Sequence, residues 1–188
     1  FKGAMKGMVF NLFERFVREK LGDEAFEVIV DSTDLITREP FVGPGNYPDA
    51  DLFALVGTTC RLHGIPLVDA LRGFGRFAFA HLAATVPDLV ACHDHPRAFL
   101  MTLGSIIHVE MKKLYPSARP PDVEAVALGE NELRLHYTSP RCLGELAYGL
   151  LEGVRDHFGI PFSIRVSEKT ADDRWTFDLA FAAERDAA

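Results

Sequence analysis

The feature that most constrains the fold of this chain is a change in the spacing of its apolar residues after Pro120 and Pro121. Before this point the apolar residues recur at the three-to-four-residue spacing of amphipathic helices. After it they fall in short runs bounded by turn residues, which is typical of strands. We therefore predict an α+β fold, with a helical N-terminal part followed by an antiparallel sheet and a packed helix.

The helices of the first part are predicted from their start and stop residues. Pro66 and Pro96 stand where helices begin, Gly64 stands where one ends, and Pro116 terminates the last. We expect the Asp49 carboxylate to cap the third helix. The predicted helices cover residues 8–22, 23–30, 51–62, 67–83 and 97–114, with a loop over 38–48.

The second part is predicted to contain two β-hairpins around one helix. The strands of the first hairpin cover residues 123–128 and 132–137, joined by a tight turn at 129–131. A helix over 143–158 follows, and strands over 162–166 and 175–181 form the second hairpin, joined by polar residues 170–173. Two hairpins fit an antiparallel sheet.

Length and composition favour a single domain. A chain of 188 residues with 48% hydrophobic side chains can bury one sizeable core, which we place at residues 5–181. A net charge of -7 argues against nucleic acid, and no stretch approaches the ~18 apolar residues of a membrane span. Without a signal-peptide core, the protein is expected to be cytoplasmic. Residues 1–4 are expected to remain from cloning before a native Met5, and 182–188 to form a tail.

The cysteines and one histidine pair suggest no metal site. Cys60, Cys92 and Cys142 form neither a disulfide framework nor a C-x-x-C pair. Cys142 is either a reactive thiol or, as is commoner for cysteine, a small buried residue. His93 and His95 precede a proline at a spacing that favours a polar loop.

His108 lies in the predicted 97–114 helix on an apolar face. Gly104 is one turn before it, and Met101 and Met111 are on the same side. The missing side chain of Gly104 leaves a gap where a flat ligand can lie. A neutral imidazole in a dry pocket is the usual proximal ligand of haem iron, although the pattern alone also fits a core histidine.

A second candidate site is the segment that contains Tyr137, Ser139 and Arg141. If Thr138 to Pro140 is extended, as residues before proline prefer, the three side chains project from one face. A phenol, a hydroxyl and a guanidinium can together hold two carboxylates, because arginine donates in bidentate geometry. The alternative for so short a pattern is a solvated strand end followed by a helix cap.

Together these motifs resemble those of the haem-nitric oxide/oxygen binding (H-NOX) family, bacterial relatives of the sensor domain of soluble guanylate cyclase. The resemblance extends over nearly all of residues 5–181, and it implies a haem held between the helical part and the sheet. The matching motifs, in family order, are residues 5–11, 47–52, 74–77, 107–110 with 114–116, and 137–141.

The resemblance implies a role for each matching residue. His108 is matched to the proximal iron ligand of non-covalently bound haem b. Tyr137, Ser139 and Arg141 are matched to a triad that binds the haem propionates, and Asp49 to an acid that pairs with the triad's arginine.

Further matches place residues on both faces of the cofactor. Pro121 corresponds to a proline that presses on the haem and holds the porphyrin out of plane. Met101 and Gly104 are expected on the proximal side with His108. The distal pocket is matched to Val9, Phe13, Ala78 and Leu146.

The distal side predicts which gas is preferred. Oxygen-binding members of the family have a tyrosine five residues after the motif's arginine, and here that residue is Leu146. Bound oxygen gains from a hydrogen-bond donor and nitric oxide needs little such help, so we predict selectivity for NO. Tyr148 is two residues further along a helix, about 200° around it, and should face away.

The family resemblance implies a switch and no chemical reaction. NO, or CO, binds ferrous haem, NO weakens the bond from iron to His108, and the two parts of the domain shift. The expected partner is a signalling histidine kinase or a cyclic-di-GMP enzyme, either a diguanylate cyclase or a phosphodiesterase.

Two alternatives and one absence complete the predictions. An oxygen sensor or carrier stays open, and an enzyme has little support because the chain lacks G-x-S-x-G, H-E-x-x-H and phosphate-loop motifs. Some relatives bind zinc near the C-terminus through three cysteines and a histidine, but Gly144 and residues 163–175 supply no cysteine, so no zinc is expected.

Overall fold

The structure is a computed structural model that describes residues 3–109, 113, 119–170 and 174–182. Its helices are α1 (Gly7–Leu21), α2 (Asp23–Asp31), α3 (Asp49–His63), α4 (Leu67–Thr85), α5 (Pro87–Ala91), α6 (Pro96–Met101) and α7 (Gly144–Phe158), with a π-helical segment at Leu103–Ile107. Its strands are β1 (Ala4–Lys6), β2 (Asn46–Pro48), β3 (Asp122–Ala127), β4 (Glu132–Thr138), β5 (Phe162–Lys169) and β6 (Arg174–Phe181).

The first four helices form the helical part around one buried cluster. Phe10, Phe13 and Leu55 are each 1% exposed, and Phe13 meets Phe74 edge-on with ring centroids 5.3 Å apart. Each fully buried apolar side chain of this size stabilises the fold by roughly 1.5–3 kcal/mol. The short strands β1 and β2, which lead into α1 and α3, pair antiparallel, with Ala4 opposite Pro48 and Lys6 opposite Asn46.

The last four strands form an antiparallel sheet in the order β3-β4-β6-β5. Alternation along β4 buries Leu133, Leu135 and Tyr137 on one face and places Arg134 and His136 on the other. The buried face joins side chains of α6 and α7 in a second core cluster. The sheet therefore has one apolar and one polar face.

The polar face carries an ion-pair network in its middle row. Asp178 on β6 accepts hydrogen bonds from Arg134 on β4 at 2.7 Å and from Arg165 on β5 at 2.8 Å. The hydrogen bond from Arg134 is the main reason that the pKa of Asp178 falls to about 2 from its ordinary value of 3.8. This carboxylate stays ionised through most of the acid range.

Helices α4 and α7 cross in close contact and connect the two parts. A Cβ on Gly75 would collide with the backbone oxygen of Leu146, and a Cβ on Gly149 would collide with the backbone oxygen of Arg72. Side chains of α4 belong to both core clusters. Glycine at the crossing therefore permits backbone-to-backbone packing that links the helical part to the sheet.

The predicted α+β fold is confirmed, and most predicted helices and strands lie at their predicted places. The predicted loop over 38–48 is wrong at its end, because Asn46–Pro48 pairs with Ala4–Lys6 as β2 with β1. This pairing depends on a partner about 40 residues away, which a local pattern does not reveal. The short helix α5 was also not predicted.

Two details of the predicted helices are corrected. Asp49 is not the cap of the third helix: α3 begins at Asp49 itself, after Pro48, and no side-chain bond caps it. The predicted 97–114 helix is not continuous, since α6 ends at Met101 and a π-helical segment follows. Its predicted end at Pro116 lies outside the described residues, as do residues 171–173 of the second hairpin turn and 183–188 of the predicted tail.

No helix within the described ranges combines the length and the apolar character that crossing a membrane requires.

Candidate functional site

The Arg141 side chain joins the sheet part to the helical part. Its Nε donates to Asp49 Oδ2 at 2.9 Å, its Nη1 to the Arg119 carbonyl oxygen at 2.8 Å, and its Nη2 to the Ala4 carbonyl oxygen at 3.1 Å. Arg119 precedes β3, while Ala4 and Asp49 begin β1 and α3. One guanidinium therefore links three segments that are distant in sequence.

The carboxylate that faces Arg141 is almost fully buried. The Asp49 side chain is 2% exposed and that of Arg141 is 11% exposed, so the pair interacts where water screens it little. A Cβ on Gly3 would collide with Asp49 Oδ2. Within the described residues, Asp49 Oδ1 is buried and has no hydrogen-bond partner. The ion pair implied by the resemblance is present, and its role toward propionates stays a prediction.

The expected alternation through the Tyr-Thr-Ser-Pro-Arg segment is observed. Tyr137 and Ser139 are buried, and Thr138 and Pro140 between them are exposed. The Ser139 hydroxyl accepts a hydrogen bond from the Arg141 backbone N–H at 3.2 Å. Ser139 thereby fixes the turn that directs the Arg141 side chain toward the helical part.

His108 follows the π-helical segment and is partly buried. Its backbone N–H donates to the Leu103 carbonyl oxygen, five residues earlier, which is the hydrogen bond of a π-helix. Such segments occur mostly as single turns inside helices and often mark functional sites. The extra residue in this turn changes the direction in which His108 points relative to α6.

A cavity of about 230 Å³ brings His108 together with Gly104 and Pro121. His108 and Gly104, one turn apart in the same segment, thus share a cavity with Pro121, the residue that the resemblance places against the haem. The remaining lining residues come from β3 and β4: Asp122, Val123, Glu124, His136 and Thr138. None of these five was singled out from the sequence, because their positions depend on the strand register.

Gly104 and Met101, both expected on the proximal side, lie differently from the prediction. A Cβ on Gly104 would collide with the Val123 carbonyl oxygen, so this glycine permits close packing against β3 in addition to lining the cavity. The gap predicted beside His108 is therefore partly filled by the β3 backbone. Met101 is 37% exposed at the end of α6 and does not line the cavity. The π-helical segment between Met101 and His108 explains why ordinary helical spacing does not align them.

The four residues matched to the distal pocket meet in the cluster of the helical part. Phe13 and Ala78 belong to its buried core, and Val9 and Leu146 pack against it. Tyr148 contacts the other cluster, and its ring lies under the Arg72 guanidinium at 3.9 Å. The predicted opposite orientation of Leu146 and Tyr148 on α7 is thus observed.

The cysteine thiols differ in their environments. Cys142 is exposed, with φ 54, so the interpretation of Cys142 as a small buried residue is wrong. Burial raises the pKa of the Cys60 thiol.

The His95 imidazole accepts a hydrogen bond from the Arg97 backbone N–H at the start of α6, and no cluster of three metal-ligating side chains occurs in the described part of the chain.

The residues fit a haem at two points, and the volume of the cavity does not. His108 is a partly buried imidazole at a cavity. The three acceptors of Arg141 leave donor capacity on a guanidinium with five N–H groups, which suits a propionate. The cavity is smaller than the ~300–1,000 Å³ of most ligand sites. Its neighbouring residues 110–112 and 114–118 lie outside the described residues.

Comparison with known proteins identifies the class of this domain. A helical part and an antiparallel sheet joined near a histidine-lined cavity form the architecture of a haem-sensor domain. The family model described as Haem-NO-binding matches residues 6–166. Because the match covers most of the chain, the protein belongs to this family, the H-NOX domains, which are haem-binding gas sensors. A search of curated protein sequences gave no match.

Solved structures of bacterial H-NOX proteins share the fold. An S. oneidensis H-NOX protein in the Fe(II)NO state is 28% identical, with a TM-score of 0.87 over 95% of this chain and 100% of that one. A triple mutant from S. oneidensis in the Fe(II) state is 27% identical, with a TM-score of 0.88 over 98% and 100%. The Fe(II) unliganded K. algicida protein is 24% identical, with a TM-score of 0.88 over 96% and 98%, and this likeness concerns the fold alone.

Proposed function

We propose that this chain senses nitric oxide through ferrous haem b, held non-covalently, and regulates a separate signalling protein. The observation that carries the proposal is the cavity that unites His108, Gly104 and Pro121 within an H-NOX fold. The S. oneidensis relative has been solved with NO, and a variant of the Shewanella oneidensis domain with CO. In this proposal the chain catalyses no reaction.

The proximal and propionate residues have separate tasks. When bound, ferrous haem supplies an iron that takes up a diatomic gas. His108 would supply the nitrogen ligand of that iron, and Pro121, which lines the same cavity, would contact the haem. Arg141, oriented by Asp49, attracts the propionates together with Tyr137 and Ser139.

The distal residues support selectivity for NO over oxygen. Val9, Phe13, Ala78 and Leu146 carry no hydrogen-bond donor on their side chains, and all four belong to one apolar cluster. An oxygen complex would lack the donor that offsets its partial negative charge. Leu146 has no hydroxyl, whereas oxygen-binding members of the family are expected to have a tyrosine at this position.

Signalling follows from the placement of His108 next to a π-helical segment. The segment Leu103–Ile107, which packs on β3 through Gly104, would change that packing if His108 were released from the haem. Arg141 links this part to the start of β1 and α3. A partner, either a histidine kinase or a cyclic-di-GMP enzyme in the cytoplasm, would read the shift between the two parts.

Absorption spectra of the reduced protein under argon, NO, CO and air test the proposal. We expect a haem spectrum that changes with NO and CO and gives no stable oxygen complex. Leu146→Tyr should gain an oxygen complex, and Tyr148→Phe, which changes a residue on the opposite side of α7, should behave as the unaltered protein. A protein that takes up no haem would refute the proposal. A stable oxygen complex of the unaltered protein would instead establish the oxygen-sensor or carrier alternative.

A further inference from the structure

A second cavity, of about 330 Å³, lies between α1 and the last turns of α4 in the helical part. Its apolar wall is formed by Met8 and Leu12 of α1 and by Leu82 and Ala84 of α4. Leu12 belongs to the buried core cluster, whereas Ala84 is exposed, so the cavity has an apolar floor and opens to the surface. Its volume is within the ~300–1,000 Å³ of most ligand sites.

Two polar side chains of α1, Asn11 and Arg15, line the same cavity. They are four residues apart and therefore share one face of the helix. Across the residues that the structure describes, neither side chain makes a hydrogen bond or an ion pair with the protein. Glu14, the acid before Arg15 in the sequence, is paired with Arg18 at 2.8 Å. Both polar groups are therefore available as donors to a ligand.

The α4 side of the cavity adds an imidazole and a hydroxyl that are bonded to their own helix. His81 Nδ1 lies 3.1 Å from the Phe77 carbonyl oxygen, and the centroids of the two rings are 4.4 Å apart. The Thr85 hydroxyl donates to the Leu82 carbonyl oxygen at 2.7 Å. None of the described lining residues is a carboxylate, whereas Arg15 contributes a positive charge. The cavity therefore favours an anion, although the net charge of the chain is -7.

The charged and apolar parts of the lining are separated along α1. Arg15 and Met8 are at opposite ends of this side of the cavity, about 10 Å apart at the rise of an α-helix. A ligand that lies in this direction has one end at the guanidinium and the rest of its length on Met8, Leu12 and Leu82. Such a lining matches a molecule with an anionic head and an apolar tail.

We propose that this cavity binds a small amphipathic carboxylate, with its head on Arg15 and Asn11 and its alkyl tail on the apolar wall. Arginine donates to a carboxylate in bidentate geometry, and the asparagine amide adds a further donor. The tail is removed from water. A second copy of this chain fits less well, because a two-fold symmetric contact would bring two Arg15 side chains together. The inference goes beyond the proposed gas sensing and does not require haem.

Titration of the unaltered protein with octanoate, followed by amide NMR, tests the proposal. We expect saturable shift changes that are concentrated at residues 8–15 of α1 and 81–85 of α4. Two matched ligands separate the parts of the interaction: 1-octanol keeps the alkyl tail without the charge, and acetate keeps the charge without the tail. Each should bind at least about 10-fold more weakly than octanoate.

Three variants test the assigned residues. Arg15→Gln should weaken octanoate binding by about 10-fold, because it removes the charged donor. Lys20→Gln is the matched control, since it removes the same charge from an exposed position of α1 outside the cavity, and it should bind as the unaltered protein does. Ala84→Phe fills the cavity from an exposed position and should abolish binding.

Several outcomes would overturn the proposal. These are no binding of octanoate, equal affinity for octanoate and 1-octanol, and unchanged affinity in Arg15→Gln. Binding that survives Ala84→Phe would place the ligand elsewhere. A dimer of the unaltered protein in sedimentation experiments that Ala84→Phe abolishes would assign the cavity to a second copy. Because none of these measurements depends on haem, their failure leaves the proposed function untouched.

Discussion

The Arg141 end and the His108 end of the site are built in different ways. Arg141 makes hydrogen bonds to three segments, and its acidic partner is 2% exposed. His108 is only partly buried, follows a π-helical segment and lines a cavity. The Arg141 end is held by a buried ion pair, whereas the His108 end follows a π-helical segment that packs on the edge strand β3. The difference indicates that movement on gas binding would be concentrated at His108.

The largest expected effect is at the fixed end. Arg141→Ala leaves the Asp49 carboxylate buried without its cation, which should lower the free energy of unfolding by about 3–5 kcal/mol. Urea denaturation of the haem-free protein measures this loss. Arg141→Lys keeps the charge but only one of the three directions, so its loss should be intermediate. A loss below about 1 kcal/mol for Arg141→Ala would show that the Arg141 end is no more strongly stabilised than the His108 end.

A smaller effect is expected at the His108 end. Gly104→Ala places a Cβ against the Val123 carbonyl oxygen and should cost about 1–3 kcal/mol through displacement of the π-helical segment. The same variant should weaken haem binding, because Gly104 also lines the cavity. Gly129→Ala is the matched control, since a Cβ there meets nothing within 4 Å. Equal stability of both variants would show that the segment is not constrained by β3.

The smallest effect is expected at an ion pair of similar length on the polar face of the sheet. Asp178→Asn should cost only about 1 kcal/mol at neutral pH, because Arg165 and part of Arg134 are exposed to solvent. The pKa of Asp178 is about 2 in the folded state, below its ordinary 3.8. Its contribution is therefore present above pH 4 and is lost as the pH falls toward 2.

Denaturation at pH 6, 4 and 2 measures this contribution. The unaltered protein should lose its advantage over Asp178→Asn across the two lower values. An undiminished advantage at pH 2 would show that Asp178 acts through packing. If Asp178→Asn costs little stability and Arg141→Ala costs much, then burial, and not ion-pair distance, is the reason that the Arg141 ion pair stabilises the fold more strongly.

The sequence predicted what depends on local patterns and on motifs. Apolar spacing and Pro or Gly boundaries were sufficient for most helices and for both hairpins of the sheet. The pairing of Arg141 with Asp49 came from the family resemblance, because no local rule connects residues so far apart. The assigned roles of the site residues toward haem stay predictions.

The unpredicted features depend on tertiary contacts. Helical spacing suggested Met101 beside His108, but a π-helical turn intervenes, and Gly104 within this turn packs on the Val123 backbone. Likewise, Asp49 has a typical capping side chain, yet a buried arginine competes for its carboxylate more strongly than the helix N-terminus does. His136 was missed because its place at the cavity follows from strand register.

The glycine crossing of α4 and α7 limits the kinds of movement that are open to this domain. At Gly75 and Gly149 the helix backbones are in contact, so no side chain separates them that could be compressed or could change rotamer. The helices can therefore not approach each other further, but they can turn about the point where they touch. Such a crossing acts as a pivot, and a small rotation there becomes a larger displacement at the far ends of the two helices.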